Sequence, residues 1–138
     1  MRAKWIALAA LPLCAIALHA RGQDKSVWDG VYTDEQAKRG ETAYAEKCSA
    51  CHGNDLSGAG FAPALNGETF AQSWVDRKLD ELADRIKDTM PADKPGSLAP
   101  ETNIDIVAFL LKSNGYGAGT RPLPAESIDL QQITITKP

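Results

Sequence analysis

Two cysteines separated by two residues and followed at once by a histidine carry the most distinctive chemistry in this sequence: Cys48-Ser49-Ala50-Cys51-His52. Thiols at that spacing can both reach one side of a porphyrin and bond to its vinyl groups. The adjacent histidine then lies under the ring centre, with Nε2 directed at iron. Cys-x-x-Cys-His is the signature of covalent c-type haem attachment. Three other chemistries use the same residue types. A thioredoxin-like redox pair belongs in a βαβ setting, which this chain does not offer. A structural zinc site needs a fourth ligand at suitable spacing, and a plain disulfide leaves His52 without a role. Haem attachment accounts for all three residues.

An inventory of the other metal-binding side chains sharpens this. Arg2 and Lys4 precede an almost wholly apolar stretch from Trp5 to Ala17, and Ala20-Arg21-Gly22 offers small residues before Gln23. That is the layout of a secretory signal peptide, assigned to residues 1–22, with cleavage after Gly22 or alternatively after Ala20. The apolar run is shorter than the ~20 residues a membrane anchor requires. A lipoprotein reading of Leu11-Pro12-Leu13-Cys14 fails on the bulk of Leu13. Removing the leader takes away Cys14, His19 and Met1, so residues 23–138 hold two cysteines, one histidine and one methionine, Met90. It also removes three basic residues and no acidic ones, so the formal charge falls from −3 to −6. An acidic chain without clustered Lys and Arg argues against nucleic acid and anionic lipid as partners.

If His52 binds iron from one side, Met90 is the sole thioether available to the other. It lies in a loop after a helix, and Pro91 stiffens the turn beyond it. His/Met ligation raises the reduction potential relative to two nitrogen ligands. The competing role for Met90 is packing in the core, where most methionines serve.

The elements that must hold these groups read as helices. The segment Gln23 to Tyr32, with Trp28, forms an ordered lead-in. A first helix opens at Thr33, with Gln36 as the reciprocal partner of a capping box, and runs through Tyr44 towards Cys48. Gly53 to Gly67 is a loop broken by glycines and Pro63. Val75, Leu79, Leu82 and Ile86 recur at three- and four-residue steps, an amphipathic helix that Met90-Pro91 ends. Pro100 opens a last long helix that buries Ile104, Val107, Ala108 and Leu111, with Phe109 on a flank and Asn114-Gly115 as its stop. The tail beyond Gly117 reads as an extended strap over the surface, its β-branched run Ile133 to Thr136 lacking a hairpin partner nearby. The expected architecture is all-α, with a core over about 33–116 and a tail over 117–138.

Over nearly all of residues 23–138 the chain resembles the class I cytochromes c. The resemblance rests on Gly40 and Tyr44 ahead of Cys48-x-x-Cys51-His52, then Pro63-x-Leu65-x-Gly67, Thr89-Met90-Pro91, and Ile106-Val107-Ala108-Phe109-Leu110. It implies one domain over 23–138, a few helices wrapped around a single haem c bound through two thioethers and ligated by His52 and Met90. It further implies that Gly40 lets the first and last helices cross closely, with Tyr44 and Phe109 packed at the crossing. The Pro63 carbonyl would accept a hydrogen bond from His52 Nδ1, unless Pro63 serves only to stiffen the loop. Trp74 has two readings, a donor to a haem propionate or a packing residue of the following helix. Phe61, Leu65, Leu82 and Ile86 are the apolar side chains expected around the ring. Val27-Trp28-Asp29-Gly30-Val31-Tyr32-Thr33 is similar to stretches of periplasmic cytochromes associated with quinoprotein-type dehydrogenases.

The functional expectation is a periplasmic electron carrier rather than an enzyme, or the electron-accepting subunit of one. It would have a dehydrogenase as donor, an oxidase or another cytochrome as acceptor, and no stable membrane insertion after leader cleavage. The alternative is a haem-based ligand sensor or weak peroxidase in which Met90 is labile. No distal His or Arg is identifiable near Met90 to support that chemistry.

Overall fold

Helix α1 (Asp34–Lys47) starts where the extended backbone of Thr33 ends, and the Thr33 hydroxyl accepts the Gln36 N–H at 3.2 Å. Only this half of the expected capping box forms. The Gln36 side chain turns away from its own helix and is buried, donating to the Leu123 carbonyl at 3.1 Å and accepting the Leu123 N–H at 2.8 Å. A long-range backbone partner takes the amide that the local pattern assigned to the cap. The structure is a computed structural model and describes residues 24–137; the signal peptide assigned to residues 1–22 lies outside them.

After α1 come the single turn α2 (Ser49–His52), α3 (Gly67–Trp74), α4 (Leu79–Thr89), α5 (Pro100–Ser113) and a short α6 (Ser127–Leu130). Two two-residue strands, β1 (Lys25–Ser26) and β2 (Ile133–Thr134), pair in parallel. The class is all-α, as expected. Among the described residues no helix is long and apolar enough to cross a membrane.

The core is built on α5, which buries Asn103 through Ala108 together with Leu110 and Leu111. Against it lie α1, through Ala37, Gly40 and Tyr44, and α4, through Leu79, Leu82, Ala83 and Ile86. Pro100 occupies the first turn of α5 and Asn114 its C-cap, as the sequence indicates. The α1–α5 crossing is set by Gly40. A Cβ built there would fall on the Asp105 carbonyl and 2.9 Å from Phe109 Cβ, so only hydrogen fits. The Tyr44 and Phe109 rings meet beside it at 5.2 Å. Arg39 clamps the same crossing with a two-pronged pair to the largely buried Asp105, at 2.7 and 2.8 Å.

Two expectations need correction. The run Val75, Leu79, Leu82, Ile86 is not one helix: Val75 caps α3, Asp76 takes a left-handed φ of 66°, and α4 begins at Leu79. The tail is not a strap on the surface and its β-branched run is not unpaired. Leu123, Leu130, Ile133 and Ile135 are all buried in the core. Lys25 donates to Gln132 on one side of the tail at 2.8 Å. On the other, Asp76 N–H reaches the Ile135 carbonyl at 2.7 Å and Ile135 N–H the Arg77 carbonyl at 2.9 Å. Trp28 belongs to this seam, edge-on to Tyr116 at 4.8 Å, with its indole N–H donating to the Lys137 carbonyl at 2.9 Å. Tyr32 and Tyr116 add hydroxyl bonds to the carbonyls of Tyr116 and Thr136.

Because Gly40 faces helix backbone rather than a flexible side chain, Gly40→Ala cannot be absorbed by a rotamer change. The variant should lose about 3 kcal/mol of stability, the upper range for overpacking, in denaturant unfolding followed by circular dichroism. A loss below 0.5 kcal/mol would show that the crossing tolerates separation.

Candidate haem-binding site

Three of the predicted site residues share one turn of chain. Cys48 closes α1, its N–H on the Tyr44 carbonyl at 2.9 Å, and its own carbonyl accepts the N–H groups of Cys51 and His52 at 3.1 and 3.0 Å. Both thiols are free, Cys48 half-buried and Cys51 exposed. Burial, reinforced by Cys51 and opposed by Lys47, pushes the Cys48 thiol up to about 11. Disulfide exchange by a Cys-x-x-Cys pair is favoured by a lowered thiol pKa, the opposite direction. Nor do three or more His, Cys, Asp or Glu side chains gather into a metal-holding group among the described residues.

His52 is 7% exposed, and its Nδ1 lies 2.9 Å from the Pro63 carbonyl oxygen. A carbonyl can only accept, so Nδ1 carries the proton and Nε2 carries the lone pair of the neutral ring. Nε2 has no hydrogen-bond partner among the described residues. The imidazole is therefore oriented by a backbone group and left with one nitrogen suited to a metal, an arrangement seen at metal-ligating histidines.

The loop that supplies the Pro63 carbonyl is held at several points. Gly58 N–H returns to the His52 carbonyl at 2.8 Å, and Leu65 N–H to the Leu56 carbonyl at 2.8 Å. Ala59 and Ala62 exchange backbone hydrogen bonds at 3.2 and 3.0 Å. Asp55 accepts from the Ser57 hydroxyl and N–H, which holds its carboxyl below the usual range. Asn114, which reads in the sequence only as a helix stop, proves to be a tie between elements. It donates to the Leu65 carbonyl at 3.0 Å and accepts the Gly67 N–H at 3.0 Å, fastening the loop to the end of α5. No local pattern distinguishes such an asparagine from an ordinary cap.

Met90 and Trp74 come from other elements, at the C-terminal ends of α4 and α3. Both are partly buried against the core, and neither shares a hydrogen bond with Cys48–His52. Met90 takes extended backbone as the α4 cap, with its N–H on the Ile86 carbonyl at 2.9 Å. Trp74 carries the Arg77 guanidinium 5.0 Å from its ring centroid. Of the apolar residues expected around a ring, Leu82 and Ile86 are already buried in the protein, Leu65 is half-buried and Phe61 is fully exposed.

A family model described as cytochrome c oxidase, cbb3-type, subunit III matches residues 35–110, more than half of the chain. The chain belongs to this cytochrome c family. The cytochrome is 32% identical over 78 residues to the thiosulfate dehydrogenase of Stutzerimonas stutzeri (strain A1501), a match covering 52% of this chain and 25% of that protein. It thus spans about a quarter of that relative's length. The crystal structure of the sulfane dehydrogenase SoxCD from Paracoccus pantotrophus aligns with a TM-score of 0.56 at 21% identity. That alignment covers 78% of the cytochrome and 61% of that chain, a likeness of fold.

A free thiol capping one helical turn, a second within it, and an imidazole with its tautomer fixed form a donor set that fits the haem c of this family. The acceptor of the His52 bond is backbone, so Pro63→Ala should keep it. The expected cost is about 1 kcal/mol or less from a freer unfolded chain, read as a small drop in melting temperature. The His52 Nδ1–H resonance should stay as slow to exchange as in the parent protein, and fast exchange would show that the pyrrolidine ring, and not only the carbonyl, sets the contact.

Proposed function

We propose that this cytochrome is a periplasmic single-electron carrier with one haem c. It would accept electrons from a dehydrogenase, as a free shuttle or as that enzyme's subunit, and pass them to an oxidase or another cytochrome. The observation that carries the reading is the His52 arrangement: Nδ1 tied to the Pro63 carbonyl, Nε2 free, and two free cysteines on the same turn, Cys48 at its cap and Cys51 beside His52. One haem follows from the single Cys-x-x-Cys-His in the sequence.

In this reading Cys48 and Cys51 would anchor the group through thioethers and His52 would bind it through Nε2. The bound haem supplies a reversible ferric/ferrous couple. Met90, its backbone held by Ile86 at the end of α4, would offer its thioether as the other ligand. Trp74, whose indole N–H has no partner among the described residues, offers a donor to a propionate. Ligation by both His52 and Met90 would favour a carrier over a catalyst. Interfaces between redox proteins are small and weak, which suits rapid exchange of partners.

The periplasmic assignment is supported by the leader in residues 1–22. A dehydrogenase donor is supported by the names of the relatives, one a thiosulfate dehydrogenase and the other a sulfane dehydrogenase. The cytochrome spans only part of each, so the donor is proposed as a class and not as either enzyme.

Purified from an exporting host, the protein should retain its haem through acid–acetone extraction, at one haem per chain by pyridine haemochrome. Its ferric spectrum should be low-spin. Met90→Ala should lower the midpoint potential by roughly a few tenths of a volt, a fraction of the ~0.8 V that axial ligands command, and should open the iron to carbon monoxide. A parent protein that is already high-spin and binds carbon monoxide readily would sink the carrier reading in favour of a labile Met90.

A further inference from the structure

The imidazole bond to Pro63 is only one of the restraints on His52. Its own carbonyl accepts the Gly58 N–H at 2.8 Å. The next carbonyl along, that of Gly53, accepts the phenolic hydroxyl of Tyr44 at 2.7 Å and a longer Leu56 N–H bond at 3.3 Å. Gly53 adopts φ 79° and ψ 151°, a region that glycine alone visits freely. Its intrinsic preference therefore does little to hold the Gly53–Asn54 peptide, which opens the loop towards Pro63, in one orientation. The Tyr44 hydroxyl, reaching in from α1, does that from outside.

We infer that Tyr44 is a positioning residue for the His52–Pro63 bond: its hydroxyl fixes the Gly53 carbonyl at the head of the loop that presents the Pro63 carbonyl, and thereby the alignment and strength of the Nδ1–H bond that His52 makes to it. The inference rests on His52 being the axial ligand, as proposed above. Tyr44 is well placed for the task. It is buried, its ring is wedged against Phe109 at the α1–α5 crossing, and that crossing is fixed by Gly40. The hydroxyl thus has little freedom to follow a moving loop, and the loop must follow it. Burial raises its pKa to about 12, so it remains a donor at any ordinary pH. The consequence for the metal side is electronic. A shorter, better aligned Nδ1–H···O=C bond makes the imidazole a stronger donor to iron, which favours the ferric state and lowers the potential. Loosening the peptide does the reverse.

A purely structural hydroxyl bond provides the comparison. Tyr116 is equally buried, and its hydroxyl donates to the Thr136 carbonyl at 2.8 Å in the tail seam. Tyr44→Phe and Tyr116→Phe each keep the ring and delete one hydroxyl bond to a carbonyl.

The holoproteins of the parent and both variants can be compared by spectroelectrochemistry and by proton NMR of the His52 Nδ1–H. Tyr44→Phe should raise the midpoint potential and speed solvent exchange of that proton about tenfold, as expected for a hydrogen bond weakened by its usual net worth. Tyr116→Phe should lower the melting temperature to a similar degree and move neither. Fluorotyrosine at position 44, which keeps the fold and donates more strongly, should lower the potential and slow exchange; it supplies the answer if Tyr44→Phe does not fold. Parent-like potential and exchange in Tyr44→Phe, or equal shifts in Tyr116→Phe, would overturn the inference while leaving His52 ligation intact. A parent spectrum without imidazole ligation would overturn both readings together.

Discussion

Everything near the Cys-x-x-Cys-His turn depends on how closely α1 can approach α5. Gly40 sets that distance, because the Asp105 carbonyl and Phe109 occupy the space a side chain would need. With the helices in contact, Arg39 reaches Asp105 and Tyr44 meets Phe109, so one missing Cβ is surrounded by a charge pair and an aromatic pair. The last residue of α1 leads directly into Cys48. The orientation of α1 is thereby the orientation of the attachment turn, and α5 returns at its far end to hold the following loop through Asn114. A single close crossing positions both ends of the site.

What the sequence made legible follows from how local the information is. Thr33 as cap, Pro100 as helix start, Met90-Pro91 as helix end and Asn114-Gly115 as stop are decided by the residue and its immediate neighbours. The attachment pentapeptide is equally local. The misreadings arise where a distant part of the chain competes. Gln36 was a capping partner until the Leu123 backbone offered it two hydrogen bonds. Val75 kept helical step with Leu79, but its periodicity spans the break that Asp76 makes by turning left-handed, a conformation short polar side chains tolerate. The separate helix α3 was hidden by that coincidence and by having only Phe70 buried. The tail lacked a partner only because its partners lie far away in sequence.

The site divides in the same way. Cys48, Cys51 and His52 are adjacent in sequence and adjacent in space, and the Pro63 carbonyl is joined to them within one loop. Met90 and Trp74 come from other helices, and their relation to the cluster passes through packing on a shared core. Phe61 is fully exposed, on a turn held by the backbone bonds between Ala59 and Ala62.

The seam between the lead-in and the tail has a consequence for the order of events in folding. The hydroxyls of Ser26 and Thr136 meet across 110 positions of sequence, and the same strand also bridges to the linker before α4. Contacts of such sequence separation carry a somewhat larger loop-closure cost than nearer ones and are expected to form later. The helices around the attachment turn are built from shorter connections and can associate before the ends are joined. The chain therefore has a natural stage at which the cysteine turn is formed but the seam is open, and closure of the seam acts as the latch.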